Sequence, residues 1–233
     1  MPSMMEIYKE YADQYDRLVA AEDWKGNLPA LLHDLIDWND RVVYEAGIGT
    51  GRITEMFIKE AKCCFGFDRE QHMLDKCMEN LSEYAEKLFL SVGENTKLPG
   101  IGCKADVFIE GWSLGHTIIE NENNIEACVK TILEDISTFL DGTGQVIIIE
   151  SLGTFVSQPT VKRDAIQTFF ELLEDTYSFV KYVLSTDYCF STVQEAAEVM
   201  GFFFGEDMKQ SINRSELCVI PEYTGIWYSS LGR

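Results

Sequence analysis

Val42-Val43-Tyr44-Glu45-Ala46-Gly47-Ile48-Gly49-Thr50-Gly51-Arg52-Ile53-Thr54 is the stretch whose reading decides the fold. Val42, Val43 and Tyr44 read as a short buried strand, and the run from Arg52 to Ala61 reads as a helix. Between them three glycines stand at alternate positions. A strand that turns into a helix over glycines brings bare backbone N–H groups close to a ligand, because no Cβ blocks the approach. Glu45, at the strand's end, offers a carboxylate to a positively charged part of such a ligand.

The spacing excludes the dinucleotide fingerprint G-x-G-x-x-G. Counted from Gly47, that pattern needs a glycine where Arg52 stands. An acidic residue followed by G-x-G-x-G instead resembles motif I of the class I S-adenosylmethionine (SAM) dependent methyltransferases. Further stretches extend the resemblance. Cys63-Cys64-Phe65-Gly66-Phe67 reads as a second strand ending in Asp68, where an acid accepts hydrogen bonds from both ribose hydroxyls. Met73 stands where the family sets an apolar side chain against the adenine. Lys87 to Val92 reads as a third strand, and Gly93-Glu94-Asn95 with Leu98-Pro99 resembles the Gly-Asp-Ala…Leu-Pro stretch of UbiE-like enzymes, in which the acid receives the adenine amine. Ala105 to Glu110 reads as a fourth strand, followed by Gly111-Trp112-Ser113-Leu114-Gly115-His116 in the manner of motif IV. Gln145 to Glu150 reads as a fully buried fifth strand after an Asp141–Gly144 turn.

The resemblance implies SAM as methyl donor and S-adenosyl-L-homocysteine as product. It implies cofactor contacts from Tyr15, Glu45, Gly47, Gly49, Gly51, Arg52, Asp68, Arg69, Met73, Glu94, Asn95, Glu110, Gly111 and Trp112. Such chemistry asks mainly for placement of donor and acceptor. Where the acceptor must lose a proton, His116 is the candidate base, with Glu150 or a tyrosine of the first helix as alternatives.

Composition narrows the acceptor. The 233 residues include 19 basic and 39 acidic ones, a formal net charge of −20, with no Lys/Arg-rich run. Nucleic-acid binders need a basic footprint, so a nucleic-acid or anionic-membrane partner is not expected and a small-molecule acceptor is. No apolar run approaches a membrane span, and Met1 to Glu6 show no secretory pattern. Seven cysteines without a C-x-x-C pair fit reduced thiols in the cytoplasm and no metal site.

The expected fold is α/β: one Rossmann-like doubly wound domain over 1–233 with a seven-stranded, mostly parallel sheet of order 3-2-1-4-5-7-6. Residues 1–40 should form an N-terminal helical lid, 41–150 the SAM-binding half and 151–233 the acceptor-side half. Helices are expected at 4–20, 27–37, 123–140, 161–174 and 192–201. Strands are expected at 177–190 and, broken at Pro221, from Leu217 to Tyr228. Monomer and homodimer remain open. A non-catalytic SAM-binding sensor or partner subunit is the alternative reading, and a nicotinamide-dependent oxidoreductase is disfavoured by the glycine spacing.

Overall fold

Alternation along the central strands sets the architecture. In Val43-Tyr44, Val107-Phe108, Ile147-Ile148 and Ile226-Trp227, neighbouring side chains enter opposite cores, so the sheet must be covered on both faces. The computed structural model describes residues 11–230 and shows this arrangement. Its strands are β1 (Val42–Ala46), β2 (Cys63–Asp68), β3 (Leu88–Val92), β4 (Ala105–Gly111), β5 (Leu140–Thr154), β6 (Val180–Ser185), β7 (Tyr188–Cys189), β8 (Val219–Ile220) and β9 (Glu222–Ser230). The helices are α1 (Ala12–Val19), α2 (Asn27–Leu35), α3 (Arg52–Glu55), α4 (Gln71–Asn80), α5 (Leu114–Glu120), α6 (Ile125–Phe139), α7 (Asp164–Glu171), α8 (Val193–Phe204) and α9 (Glu206–Ser215).

Seven strands form one sheet in the order β3-β2-β1-β4-β5-β9-β6. The first five pair in parallel, and β9 runs antiparallel to both β5 and β6. The expected order is therefore present, with the chain's last strand inserted between β5 and β6. On one face α2, α3 and α4 pack through Leu28, Leu32, Ile53, Leu74 and Cys77. On the other lie α5, α6 and α7, through Ile118, Val129, Ile132, Phe169 and Phe170.

Several expectations change. The segment read as one strand over 177–190 is two, because Thr186 diverts the backbone. Its N–H donates to Glu222 O at 2.9 Å, and its carbonyl accepts from Asp23 N at 3.1 Å. Beyond it β7 leaves the main sheet and pairs with β8, the piece cut off before Pro221. The polar helix α9 was not expected at all. The helix read over 52–61 is one turn, Arg52–Glu55, continued by tighter bonds such as Met56 N to Ile53 O. Lys87 Nζ then closes the segment by donating to the carbonyls of Ile58, Lys59 and Ala61. Asp141–Gly144, read as a turn, lies within β5, where Thr143 N donates to Asp141 Oδ1.

Of the helix expected over 4–20, residues 4–10 lie outside the described residues. Tyr11 and Tyr15 pack edge-on against Phe202 and Phe203 of α8. Asp13 pairs with Lys76, and Asn80 Nδ2 donates both to Asp16 and to the Thr50 carbonyl of the glycine bend. α1 thus spans from the C-terminal helices to α4 and the bend.

Trp227 shows how much the inserted strand carries. It is fully buried, stacks on Phe170 at 4.1 Å between ring centroids and donates Nε1–H to Glu174 at 3.0 Å. Trp227→Ala should cost ~3–5 kcal/mol in chemical denaturation, the range for emptying a large aromatic site. A loss under ~1 kcal/mol would show that β9 is not central to the core.

Candidate active site

The bend after β1 is built from three left-handed glycines, Gly47 (φ 60°), Gly49 (φ 55°) and Gly51 (φ 91°). Each meets a different neighbour. A Cβ on Gly47 would run into the Ser113 side chain, and one on Gly51 would press Leu81 at 2.7 Å and Cys77 at 2.9 Å. At Gly49 the nearest protein atom would be Met73 Cε at 3.6 Å, an ordinary contact. Gly49 is therefore the glycine whose missing side chain keeps space free rather than admitting a neighbour.

Asp68, at the end of β2, clamps the bend. Its Oδ2 accepts from Gly49 N at 3.0 Å and its Oδ1 from Glu70 N at 2.9 Å. Burial raises its pKa, and these two N–H groups pull it back in part. Around this clamp lies a cleft at the carboxyl ends of β1, β2 and β4. Its empty space, open mouth included, is about 700 Å³.

The structure brings to the cleft lining Tyr15, Gly47, Gly49, Asp68, Arg69, Met73, Glu94, Asn95, Gly111, Trp112 and His116 of the residues singled out from sequence. Arg69 bridges Glu94 at 2.9 Å and Glu120 at 3.0 Å, so the Glu94 carboxylate already has a cation. Asn95 Nδ2 donates to Thr117 Oγ1 at 3.1 Å and Ser113 Oγ at 3.3 Å. Trp112 holds a left-handed φ of 58° while its N–H donates to Ile149 O. Burial, with the charges of Arg69 and Arg163, lowers the His116 pKa against the opposing pull of Glu120, so the imidazole is neutral near pH 7. Burial pushes the Tyr15 hydroxyl up to about 12.

Four expected contacts are not on this lining. Glu45 is buried beneath the bend and accepts from Thr54 Oγ1 at 2.5 Å. Gly51 faces Leu81 and Cys77. Arg52 turns away to Glu22 at 2.8 Å, with its guanidinium 4.2 Å from the centroid of the Trp112 ring. Glu110 is buried and accepts from Leu114 N and Ser113 Oγ at the start of α5. Phe67, Glu70, Gly93, Ser113 and Thr117 line the cleft without having been singled out. The signal for the last two was their four-residue spacing after β4, which sets them on one helix face. Among the described residues, no group of three or more His, Cys, Asp or Glu is placed to hold a metal ion, and no helix is long and apolar enough to cross a membrane.

Burial pushes the Glu45 carboxyl up to about 8, against the opposing Thr54 hydrogen bond. A carboxyl raised on folding contributes its full stability below the unfolded-chain value and loses it as pH rises through the folded value. One such group costs roughly 1.4 kcal/mol per pH unit across that window. Thermal stability should therefore fall between about pH 5 and 8, and Glu45→Gln should flatten the fall. Parallel wild-type and variant melting curves over that range would contradict the assignment.

No family model matches the chain. An uncharacterized methyltransferase of Geobacillus sp. (strain WCH70) is 25% identical over 129 residues, 53% of this chain and 58% of the relative. The chain spans about half the length of the curated relatives it matches, with shares of 58%, 40% and 39%. Among solved structures, a SAM-dependent methyltransferase from Aquifex aeolicus superposes with a TM-score of 0.56 at 12% identity, covering 96% of this chain and 100% of that one. A putative RNA methyltransferase from Pyrococcus horikoshii gives 0.54 at 15%, covering 88% and 82%. Strand order, parallel pairing and the antiparallel insertion together give this chain the class I methyltransferase fold.

Proposed function

We propose that this protein transfers a methyl group from SAM to a small-molecule acceptor. The observation that carries the reading is the Asp68 clamp. Both carboxylate oxygens are anchored by backbone N–H groups, yet a carboxylate has about four acceptor positions, so two remain for the hydroxyls of a ribose. Gly49 supplies the open cradle beside it, and Met73 an apolar surface against a base. The donor set is neutral-to-acidic around a cleft walled by Tyr15 and Trp112, which suits a cationic sulfonium.

SAM supplies an already activated methyl, so the protein's work is placement in a cleft shielded from water. The bend fixes one end of the donor, Asp68 its sugar, and Trp112 with Tyr15 closes the methionine side. Neutral His116 is available to take a proton where the acceptor requires it. The charge of −20 supports a neutral or cationic small acceptor over RNA, although a putative RNA methyltransferase shares the fold. Seven free cysteines support work in the cytoplasm.

The test is incubation of the protein with methyl-labelled SAM and a small-metabolite extract, with an RNA fraction in parallel. Label should appear in an extractable small product. Label in RNA alone would overturn the acceptor class, and no transfer despite tight SAM binding would favour a sensor or partner subunit. Two variants probe the donor site. Asp68→Ala should weaken SAM by ~1.5–3 kcal/mol in calorimetry, the scale of hydrogen bonds to a charged group. Gly49→Val should abolish binding, because a β-branched residue is strained at φ 55° and fills the cradle. Wild-type affinity in either variant would displace the ribose from Asp68 or the donor from the bend.

A further inference from the structure

A second cavity opens where β5 ends, with about 780 Å³ of empty space, its mouth included. Room of that order takes a small organic molecule. Ser151 and Thr154, at the end of β5, line it. It lies one strand over from the cleft wall: Gly111 pairs with Ile149 across the β4–β5 ladder, and the Trp112 N–H donates to the Ile149 carbonyl, two residues before Ser151. The helix that carries His116, α5, packs against α7. Arg163, at the head of α7 and on the cavity wall, lies within electrostatic reach of His116.

The walls are of two kinds. Ile166 from α7, Phe204 from α8 and Met208 from α9 make an apolar side, where Phe204 keeps 39% of its surface exposed. Lys162 and Arg163 make a charged side, and neither forms an ion pair with a described residue. No Asp or Glu lines the cavity, in a chain with 39 acidic residues against 19 basic ones. Composition alone predicts the opposite, so this wall is marked out as a seat for negative charge. The Ser151 and Thr154 hydroxyls already donate to Glu222, and the Thr160 hydroxyl to Gln158 O. The two cations are therefore the side-chain donors left for a guest. Thr160 N donates to the Leu152 carbonyl and Gln167 N to the Arg163 carbonyl at 3.0 Å, which ties the segment carrying both cations to β5 at one end and to α7 at the other.

We propose that this cavity seats the methyl acceptor by the end remote from its nucleophile, and that the acceptor carries a single carboxylate on an apolar body. The inference rests on the methyl-transfer reading above, and it narrows the charge preference drawn there from the whole chain. At a net charge of −20, each further negative charge is repelled at long range, which disfavours a phosphate ester or a polyanion. Within a screening length of roughly 8 Å the near pair of cations decides instead. Arg163 offers the planar fork that matches a carboxylate, with Lys162 as a second point charge. The apolar side takes the body of the molecule, and its reacting end is left toward the His116 edge of the cleft.

The test uses the full chain saturated with S-adenosylhomocysteine, titrated with 4-phenylbutanoate, indole-3-propanoate and octanoate and, in parallel, with their primary amides. At least one carboxylate should bind fivefold or more tighter than its amide and shift the NMR signal of the isotope-labelled Met208 methyl. The double variant Lys162→Gln, Arg163→Gln changes two exposed side chains, so it should fold. It should remove that preference while holding the affinities for the amide and for S-adenosylhomocysteine within twofold. Methyl-labelled product from SAM and a metabolite extract should be held on an anion exchanger at about pH 7 and released at about pH 3, below the ordinary carboxyl value. No carboxylate bound, equal affinity for the amides, an unmoved Met208 signal, or a labelled product without the acid group would overturn the proposal while methyl transfer stands. Absence of S-adenosylhomocysteine binding to the wild type would instead remove the methyl-transfer reading, and the acceptor assignment with it.

Discussion

Three consecutive left-handed glycines, separated by single residues, are the constraint on which the rest of the molecule depends. They let the chain leave β1 and enter α3 through a five-residue bend, Gly47–Gly51, and each omits a Cβ for its own reason. Gly47 admits Ser113 and so lets the segment after β4 close on β1, whereas Gly51 admits Leu81 and Cys77 and so seats α4. Only Gly49 borders open space, with Met73 Cε at an ordinary contact distance. The Asp68 carboxylate then fixes the bend by its Gly49 N–H bond, while Ile48 N donates to Phe67 O at 2.9 Å. A bend tied in this way is ordered before anything binds, which saves the entropy of ordering it on binding.

Buried carboxylates toward the sheet edge where the parallel strands end form the second theme. Glu45 ends β1, Glu110 lies at the end of β4, Glu150 on β5 and Glu222 at the start of β9. Burial raises the pKa of each. Glu110 and Glu150 are offset by the N–H groups of Leu114 and Gly115, which they accept at the first turn of α5. Glu110 also feels the Glu150 charge, so the two cannot both ionise cheaply. They fix α5, and with it Ser113, His116 and Thr117, against the sheet. Glu222 is offset by side-chain hydroxyls and the Arg52 charge rather than by helix N–H groups, which separates it from the structural pair.

Much of the fold around the cleft was legible in the sequence because its signals are local. The β1–bend–α3 stretch, Asp68 at the end of β2 and the apolar β5 each declare themselves within ten residues or so, and the order of the parallel strands follows once they are recognised. What was not legible depends on distant partners. Arg52 stands beside the glycines, yet the stretch could not show that Glu22 and the Trp112 ring would draw it off the cleft. Glu45 has the motif's identity, but Thr54 holds it beneath the bend. The β7–β8 pair exists because Thr186 bonds to Asp23 and Glu222, residues far from it in the chain. α9 carries few apolar residues, and its one fully buried side chain, Ile212, leaves no helical stripe to read.

The central claim is that the glycine bend and Asp68 together hold an adenosyl group. A crystal structure of the protein with S-adenosylhomocysteine measures this most directly. The ribose hydroxyls should lie on the Asp68 carboxylate and the amino-acid end against the Gly47–Gly51 bend. Ligand bound elsewhere on the molecule, or a ribose out of reach of Asp68, would contradict it.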